Sequence, residues 1–451
     1  IEKAEIERIE REKREAYEKE LREKAEVERL LKEAEERKRL QIIETELEKK
    51  RREIDEEKRR SDEEAERIRK QKIDDINHNI TISNNNNNNN TDNESVVTTY
   101  GAVIGTNINK ILQQIKINIK SNEKYSDPDF NNKDDVLGAG PLLNKDAGYG
   151  NGIDLFPLSK IDPNLYNKID DNFATKKGEK PNSQDVKQGG LGDCYLLSAL
   201  STIAERPQLV GSCIVHADPN KGIYVVKLFF NGAFRYILLD DMFPINVSKS
   251  LAGGWIKKSD KDQKLAFQHF DGPNQLWVIL IEKAYAKLHG SYQQIVGGFE
   301  DTAMADITGG IPSRMDVGPN NKDIDKKWLL LKNMHNKGYL LGAGSVSGKD
   351  TEHTNTGIVK GHAYSILDVR DIDNNHLLKL RNPWGSFEWT GRWGDNSSEW
   401  TPRYKKLLNQ LAKDDGTFWM SFEDFCLNFR NIYSCKLVGD QKMTSISGEW
   451  S

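Results

Sequence analysis

The sequence is poor in cysteine, and this scarcity limits what the protein can be. Its 451 residues include four cysteines, none of them in a C-x-x-C pair: Cys194, Cys213, Cys426 and Cys435. Four widely separated thiols cannot form the disulfide framework of a small secreted domain, and they lack the ligand spacing of a structural zinc site. We therefore expect a protein of a reducing, intracellular compartment.

Long apolar runs and a large net charge are also missing. The chain begins IEKAEIERIE, without the apolar core of a signal peptide, and no apolar run approaches the roughly 20 residues that span a bilayer. Its 66 basic and 70 acidic side chains leave a net charge of −4, which excludes a global basic footprint for nucleic acid or an anionic membrane. We expect a cytoplasmic protein without a nucleic-acid partner or stable membrane insertion. Because the first residue is Ile rather than Met, we also expect a piece of a longer protein.

Glycine and proline are absent from residues 1–77, where Glu, Lys, Arg and Ala dominate. Opposite charges recur four residues apart, as in Glu10–Arg14, and such pairs stabilise an isolated helix. The apolar residues keep no steady heptad, so we predict a charged single helix, with a weak coiled coil as the alternative. The basic run 49–52 is interpreted as one solvated helix face, and a nuclear address is the alternative.

Residues 78–137 contain few groups that could form a core. A run of asparagines extends from Asn84 to Asn90 within a stretch rich in Ser, Thr and Asn. Such a composition buries too little apolar surface to offset the entropy of ordering. We predict a disordered, low-complexity linker, interrupted by one short amphipathic piece at Ile104–Ile119 that could dock on a neighbour.

The remainder of the chain has the composition of a folded domain. All nine tryptophans lie in it, together with helical and alternating apolar patterns. The predicted elements are helices followed mainly by strands, among them Cys194–Ala204, Leu276–Leu288, Tyr224–Phe230, His362–Val369 and Leu377–Arg381. An α-rich half followed by a β-rich half predicts an α+β fold with a cleft between two lobes.

A glycine-rich loop leads directly into the first of these helices. The segment from Gln188 to Leu200 reads QGGLGDCYLLSAL, which places Cys194 in the first helical turn. The unpaired N–H groups and the positive dipole end of a helix favour a thiolate, the nucleophilic form of cysteine. We predict that Cys194 is reactive, with an inert buried cysteine as the alternative, and we assign the inert role to the other three.

A histidine and an asparagine lie on two strands that are predicted to form a hairpin. A turn centred on residue 372, within the polar cluster Asp371–Asn375, would place His362 opposite Asn382. An asparagine that accepts a hydrogen bond from one imidazole nitrogen leaves the other nitrogen to exchange a proton, and Trp384 could cover the pair from water. A histidine near a strand start is more often structural, but Cys, His and Asn in this order are typical of papain-like thiol hydrolysis.

Several longer motifs resemble the protease core of calpains. They are QGGLGDCYLLSAL, LIEKAYAKLHGSY, GGFEDTAMADITGG, KGHAYSILDV, LRNPWGSFEWTGRWGD and DGTFWMSFEDF. The resemblance implies a papain-like, two-lobe cysteine protease core with lobes at 138–297 and 298–437. It also implies that residues 438–451 are a tail or the truncated start of a β-sandwich domain.

The resemblance assigns a role to each candidate site residue. It implies that Cys194 is the nucleophile, His362 the general acid/base and Asn382 the residue that orients the imidazole. Gln188 would supply the side-chain donor of the oxyanion hole, with the backbone N–H of Cys194 as the second donor. Trp384 would shield the cleft.

The resemblance also implies two calcium sites, one in each lobe. In the second lobe Glu388, Asp395 and Asp415 match carboxylate ligands and Lys413 matches a backbone carbonyl ligand, but Thr417 stands where an acid is expected. Calcium is held largely by anionic oxygens. We therefore expect a weakened second-lobe site, and solvated surface acids are the alternative.

The first-lobe calcium site departs further from the family pattern. Asp185 matches a ligand, whereas Gln275 replaces a glutamate and Ser183 stands in place of an arginine that couples the two sites. Fewer carboxylates mean lower calcium affinity. The sequence therefore supports calcium binding in this lobe less than in the second.

Together these features predict an intracellular cysteine endopeptidase of the calpain type that performs limited proteolysis of proteins, under calcium control or partly independent of it. Two other functions are compatible with the sequence. One is a catalytically silent calpain-like scaffold, which the intact Gln188, Cys194, His362 and Asn382 argue against. The other is a partner-binding protein that acts through the helix at 1–77.

Overall fold

The structure is a computed structural model, and it describes residues 102–104, 108–120, 123–138, 153–158, 169–170, 175–176, 179–246, 248–249, 255–256, 266, 276–318 and 323–438. All of them belong to the second of two units into which the chain divides, Glu94–Ser451. The predicted charged helix at 1–77, the asparagine run at 84–90 and the predicted tail after residue 438 lie outside the described residues.

Helices are spread along the whole described part of the chain. They are α1 (Ile108–Asn118), α2 (Lys133–Leu137), α3 (Cys194–Ala204), α4 (Pro207–Cys213), α5 (Leu276–His289), α6 (Glu300–Thr308), α7 (Ile324–Asn336), α8 (Pro402–Leu407) and α9 (Phe422–Asn428). Short 3₁₀ turns form at Ser183–Asp185 and Gln293–Ile295. Within these described segments, no helix is both long and apolar enough to cross a bilayer.

The strands are mostly short, and they are numbered here in chain order. They are β1 (Ala102–Ile104), β2 (Ile153–Pro157), β3 (Ile169–Asp170), β4 (Thr175–Lys176), β5 (Ile214–Asp218), β6 (Ile223–Phe230), β7 (Ala233–Leu239), β8 (Met242–Asn246), β9 (Ser248–Lys249), β10 (Trp255–Ile256), β11 (Ile311–Asp316), β12 (Leu340–Ser345), β13 (Ala363–Ile372), β14 (Asn375–Arg381), β15 (Thr417–Ser421) and β16 (Phe429–Lys436).

Two antiparallel sheets organise these elements into two lobes. The first-lobe sheet has four strands in the order β1-β7-β6-β5, and the second-lobe sheet has six in the order β11-β16-β12-β13-β14-β15. Three two-stranded ribbons, β2-β8, β3-β4 and β9-β10, complete the described pairing. This mixture of helices and antiparallel sheets is the α+β class that the sequence predicts.

Helices α3 and α5 form the centre of the first-lobe core. Both have apolar residues on all faces, a pattern typical of buried helices. All residues of α3 from Tyr195 to Ala204 are buried, and so are all residues of α5 from Leu276 to Leu288. The predicted bounds of α3 match the structure, and α5 ends one residue later than predicted. The core continues into α6 through Ala303, Met304 and Ile307, so it extends past the lobe boundary predicted at 297/298.

The part of the predicted linker that the structure describes is packed on the first lobe. Strand β1 pairs with β7, and α1 buries Ile108 and Leu112 beside Ile223, Val225 and Leu238. Further along, Asp127 is fully buried and accepts a 2.6 Å hydrogen bond from Lys287 Nζ of α5. In these described stretches, apolar residues four apart and a buried ion pair provide the contacts with the core.

The second-lobe hairpin, β13–β14, differs in register from the prediction. Its turn is Asp373-Asn374, and both residues have positive φ values of 50° and 63°, as a two-residue type I′ turn requires. The pairing shifts between Ile366 and Asp368 and ends at Ser365↔Arg381. His362 therefore precedes the ladder instead of pairing directly with Asn382. The prediction missed the bulge because nothing in the local sequence marks it.

Small polar side chains allow α3 to lie directly against the second-lobe sheet. Ser365 Oγ of β13 donates to the carbonyl oxygen of Ser198 at 2.8 Å, and Thr202 Oγ1 donates to Leu341 O of β12 at 3.0 Å. Arg381 of β14 is fully buried, and it donates to Ser201 Oγ at 3.1 Å and to Val186 O at 2.8 Å. The seam between the lobes is therefore a set of direct hydrogen bonds.

Candidate active site

The contact between α3 and β13 brings Cys194 next to Ala363, the residue that follows His362. Ser198 of α3 and Ser365 of β13 are in contact. Cys194 lies one helical turn before Ser198 in α3, and Ala363 lies two residues before Ser365 in β13. Both steps cover about 6 Å. In agreement, the backbone of Ala363 hydrogen-bonds to the Cys194 thiol and favours its ionised form. The seam thus places the first residue of α3 beside the residue that follows His362.

His362 and Asn382 form the hydrogen bond that the sequence predicts for them. His362 is 3% exposed, Asn382 is fully buried, and His362 Nε2 lies 2.9 Å from Asn382 Oδ1. Asn382 Oδ1 also accepts from Trp384 N at 3.0 Å, and Asn382 Nδ2 donates to Phe387 O at 3.2 Å. Because Asn382 Oδ1 accepts from one backbone N–H and Asn382 Nδ2 donates to a backbone carbonyl, the amide atom that faces the imidazole is the oxygen. Because an amide oxygen only accepts, Nε2 carries the hydrogen and Nδ1 of the neutral ring is left as a proton acceptor.

Trp384 lies over the imidazole and also contacts Gln188. Its ring centroid is 4.6 Å from that of His362. At this distance the indole can cover the imidazole from water. Its Nε1 donates to Gln188 Oε1 at 2.8 Å, and Gln188 Nε2 donates to Leu191 O at 2.7 Å. The backbone N–H of Gln188 donates to Pro383 O at 3.0 Å. Two hydrogen bonds therefore cross the seam at Gln188.

Burial keeps both members of the Cys–His pair neutral. It raises the pKa of Cys194 to about 12, and the nearby Asp193 and Glu300 act in the same direction. It lowers the pKa of His362 to about 4, although the bond to Asn382 opposes this. Both shifts favour the neutral thiol and the neutral imidazole. Burial therefore acts against the thiolate that the helix start favours.

Three buried carboxyl groups near Cys194 were not predicted from the sequence. Asp193 and Glu300 are fully buried and Glu282 is 2% exposed. Burial raises the pKa of Asp193 to about 7 and that of Glu282 well above its usual value, and the two side chains hydrogen-bond to each other. Burial also raises the pKa of Glu300 well above its usual value. The sequence signal for this cluster is Glu282, a single acid inside the apolar run of α5.

The second-lobe acids lie together, but they bind backbone N–H groups. Glu388 Oε1 accepts from the N–H groups of Asp415 at 2.9 Å and Gly416 at 2.8 Å. Asp395 Oδ2 accepts from Lys413 N at 2.9 Å. Burial raises the pKa of Glu388 to about 7, with a further contribution from the negative charges of Asp395 and Asp415. Four predicted ligand positions are thus brought to one place.

A cavity of about 430 Å³ adjoins these acids, and Asp395, Lys413, Asp415 and Thr417 are among its lining residues. In the parts of the chain that the structure describes, no group of three or more His, Cys, Asp or Glu side chains stands ready to hold a metal ion. Carboxylate oxygens are the ligands that a hard cation such as Ca²⁺ prefers. To bind a calcium ion, Glu388 and Asp395 would have to give up hydrogen bonds to backbone N–H groups.

In the first lobe, Asp185 stabilises its own turn. Its Oδ2 accepts from Asn182 N at 3.0 Å and from Trp277 Nε1 at 3.1 Å, and its Oδ1 accepts from Asn182 Nδ2 at 3.0 Å. Ser183 is buried beside it, and Gln275 lies outside the described residues. Three hydrogen bonds leave this carboxylate little capacity for a metal ion.

A comparison with protein-family models identifies the family. The model described as "Calpain family cysteine protease" matches residues 165–436, which is more than half of the chain. The chain belongs to this family. Among the curated calpains that it matches is the maize (Zea mays) calpain-type cysteine protease DEK1, which is 39% identical over 275 residues, or 60% of this chain and 12% of the maize protein.

Two animal calpains show the same relationship. Calpain-8 of Rattus norvegicus is 34% identical over 282 residues, and the calpain-1 catalytic subunit of Homo sapiens is 33% identical over 280 residues. Each match covers 59% of this chain and 37% of the relative. The chain thus spans between about an eighth and somewhat over a third of the length of these relatives. What the comparisons establish is a calpain-family protease domain.

The accessibility of the four thiols leads to a labelling prediction. Cys194 is partly exposed, whereas Cys213, Cys426 and Cys435 are buried. An epoxysuccinyl peptide should therefore label Cys194 well before the other three, as mass spectrometry of timed samples would show. Because the thiolate reacts and the pKa of Cys194 is raised, alkylation by iodoacetamide should accelerate continuously as the pH rises through neutrality.

One outcome would contradict the assignment of Cys194, and another would contradict the neutral resting pair. Equal labelling of all four thiols in the native protein would show that the site does not single out Cys194. An alkylation rate that is already at its plateau in mildly acidic solution would show that a thiolate–imidazolium pair is the resting form. Labelling in denaturant, where burial no longer distinguishes the thiols, is the control.

Proposed function

We propose that this chain is a cysteine endopeptidase of the calpain type, with Cys194 as nucleophile, His362 as general acid/base and Asn382 as the orienting residue. The observation that supports it most directly is the 2.9 Å bond between His362 Nε2 and Asn382 Oδ1, beside the start of α3. This bond leaves Nδ1 as the acceptor for the thiol proton. A structural histidine would not need a buried amide to set its tautomer.

Acylation begins from the neutral pair. The sulfur of Cys194 attacks the substrate carbonyl carbon while His362 Nδ1 takes up the thiol proton, so charge separates only as the C–S bond forms. The backbone N–H of Cys194, an unpaired donor at the first position of α3, and the Nε2 group of Gln188 stabilise the oxyanion. The imidazolium then donates its proton to the leaving amine as the C–N bond breaks.

Deacylation repeats these steps with water. Neutral His362 removes a proton from a water molecule, the hydroxide attacks the thioester carbonyl, and the same two donors hold the oxyanion. Collapse breaks the C–S bond and returns the proton to sulfur. Asn382 keeps the imidazole in the required orientation throughout, and Trp384 excludes other water from the His–Asn bond.

A digestion assay tests this function. Casein or a fluorogenic peptide should be cleaved by the parent chain and not by Cys194→Ser. Asn382→Ala should lower kcat by about 10²- to 10⁴-fold, the range for a positioned general acid/base. Asn375→Ala is a matched control, since Asn375 lies on β14 at the turn and its side chain bonds only to turn carbonyls. Normal cleavage by Cys194→Ser would refute the mechanism.

We further propose that the second lobe binds one calcium ion weakly through Glu388, Asp395, Asp415 and the carbonyl oxygen of Lys413. Burial raises the pKa of Glu388, and repulsion by Asp395 and Asp415 adds to the shift. A cation would relieve that repulsion, which supports the proposal. Thr417 supplies no carboxylate, which is why the affinity should be low. In the first lobe the three hydrogen bonds to Asp185 argue against a site of comparable strength.

Calorimetric titration tests the calcium proposal. It should give at most one site, abolished by Asp395→Ala and retained by Asp371→Ala, whose exposed carboxylate pairs with Lys332. The pKa of Glu388 is raised to about 7, and calcium competes with the proton for this group. Affinity should therefore fall as the pH is lowered through 7. Two tight sites with steep cooperative activation would overturn the proposal.

We also propose protein substrates, cleaved at a limited number of positions, and a cytoplasmic location. The absence of a basic footprint and the reducing environment implied by four free cysteines support this. A partner of the segment 1–77 stays a prediction, which binding assays with the full chain and with a chain lacking this segment would test.

A further inference from the structure

The amide of Gln188 has to face one particular way to serve catalysis. Only its NH₂ group can donate to an oxyanion, whereas a flipped amide would present an oxygen and repel it. Rotation about the last side-chain bond is soft, so the amide does not hold its direction unaided. The hydrogen-bonding partners of the Gln188 amide therefore determine whether its NH₂ group points toward the oxyanion.

The two partners of the Gln188 amide can each act in only one direction. Trp384 Nε1–H is a donor only, and it lies 2.8 Å from Gln188 Oε1. The carbonyl oxygen of Leu191 is an acceptor only, and it lies 2.7 Å from Gln188 Nε2. In a flipped amide, the NH₂ group would face the N–H donor of Trp384, and the amide oxygen would face the carbonyl oxygen of Leu191. One orientation satisfies both partners, and it leaves the second Nε2 hydrogen for the oxyanion.

We propose that the indole N–H of Trp384 is a positioning group for the oxyanion hole, in addition to the cover that its ring gives to His362. This inference rests on the proposed peptidase function. Gln188 belongs to the first lobe and Trp384 to the second, so the donor is correctly oriented only while the lobes keep the described contact. The seam therefore assembles the oxyanion hole as well as the Cys–His pair.

The indole carries out two separable tasks. Its ring packs on His362 at a centroid distance of 4.6 Å, and its N–H group holds Gln188. Trp384→Phe keeps an aromatic ring and removes the N–H group. Trp384 is only half-buried, so this change should be tolerated better than one in the core. Trp384→Tyr provides a second variant, which has the same six-membered ring as phenylalanine but carries a hydroxyl group.

The test compares two reagents for Cys194. A peptide aldehyde forms a hemithioacetal whose oxygen occupies the oxyanion hole, whereas iodoacetamide alkylates the thiol without needing that hole. Trp384→Phe should weaken aldehyde binding by about three- to tenfold, the range expected for one hydrogen bond. It should lower kcat for peptide cleavage to a similar degree with little change in KM. The rate and pH profile of iodoacetamide alkylation should stay the same.

A double-mutant cycle separates positioning from other effects. Gln188→Ala removes the donor and should lower kcat by about 10²- to 10³-fold. Adding Trp384→Phe to Gln188→Ala should then cause no further loss of aldehyde affinity, because there is no amide left to orient. Trp400→Phe is the matched control, since it removes an indole N–H bond of 2.8 Å, to Gly394 O, in the same lobe.

Three results would overturn the inference. They are unchanged aldehyde affinity in both Trp384 variants, losses that add fully in the Gln188→Ala background, and an alkylation rate that falls as much as the aldehyde affinity. The last would show that Trp384 acts through His362 alone. Failure of the peptidase function is distinguishable, because the parent chain would then neither cleave peptides nor bind the aldehyde at Cys194.

Discussion

The buried guanidinium of Arg381 crosses the seam between the lobes, and the rest of the site depends on this contact. It is fully buried and bonds to Val186 O and Ser201 Oγ, both in the first lobe. Burial lowers the pKa of Arg381 to about 10, so the group is still charged at neutral pH. A buried charge needs hydrogen-bond partners, and the acceptors for both terminal nitrogens of Arg381 are on the other lobe, whereas its buried Nε has no partner among the described residues. The next residue in the chain is Asn382, so the contact that joins the lobes also places the orienting amide.

The same burial sets the protonation states in the site. Burial raises the pKa of Cys194 and lowers that of His362, so it favours the neutral form of both, and it brings carboxyl groups close to the thiol. The hydrogen-bonded pair Asp193–Glu282 holds a proton near neutral pH because each carboxyl is buried and repels the other's charge. In the proposed mechanism, proton transfer to His362 during attack accordingly generates the nucleophilic sulfur.

The parts of the fold that follow local rules were predictable, and the parts that depend on distant contacts were not. Helix α3 was predicted with its observed bounds, because an apolar run after a glycine-rich loop specifies both its start and its burial. The hairpin register was wrong, since the bulge near Ile366 reflects packing of the whole sheet. The described stretches between 102 and 137 looked like a linker because their few apolar residues find their partners more than 100 positions away.

Within the site, the residue types and their order indicated Cys194, His362, Asn382 and Gln188 as candidates. The bond between Trp384 and Gln188 could not be inferred, because it joins residues 196 positions apart on different lobes. The buried acids were equally inaccessible to prediction, since a lone glutamate in a helix is usually exposed. Sequence patterns identify residues whose side chains could carry out the chemistry. The contacts between the two lobes determine which of their atoms form hydrogen bonds.

The most direct test of this dependence on the seam is the activity of Arg381→Lys. Lysine keeps the charge but not the planar group that reaches two acceptors at once. We predict that kcat/KM for a peptide substrate falls by about 10²-fold in protein that circular dichroism shows to be folded, because the two halves of the site lose their alignment. Arg370→Lys is the control, since Arg370 is an exposed residue of β13 that pairs with Asp368. An Arg381→Lys variant with the kcat/KM of the parent would contradict the claim that this contact aligns the site.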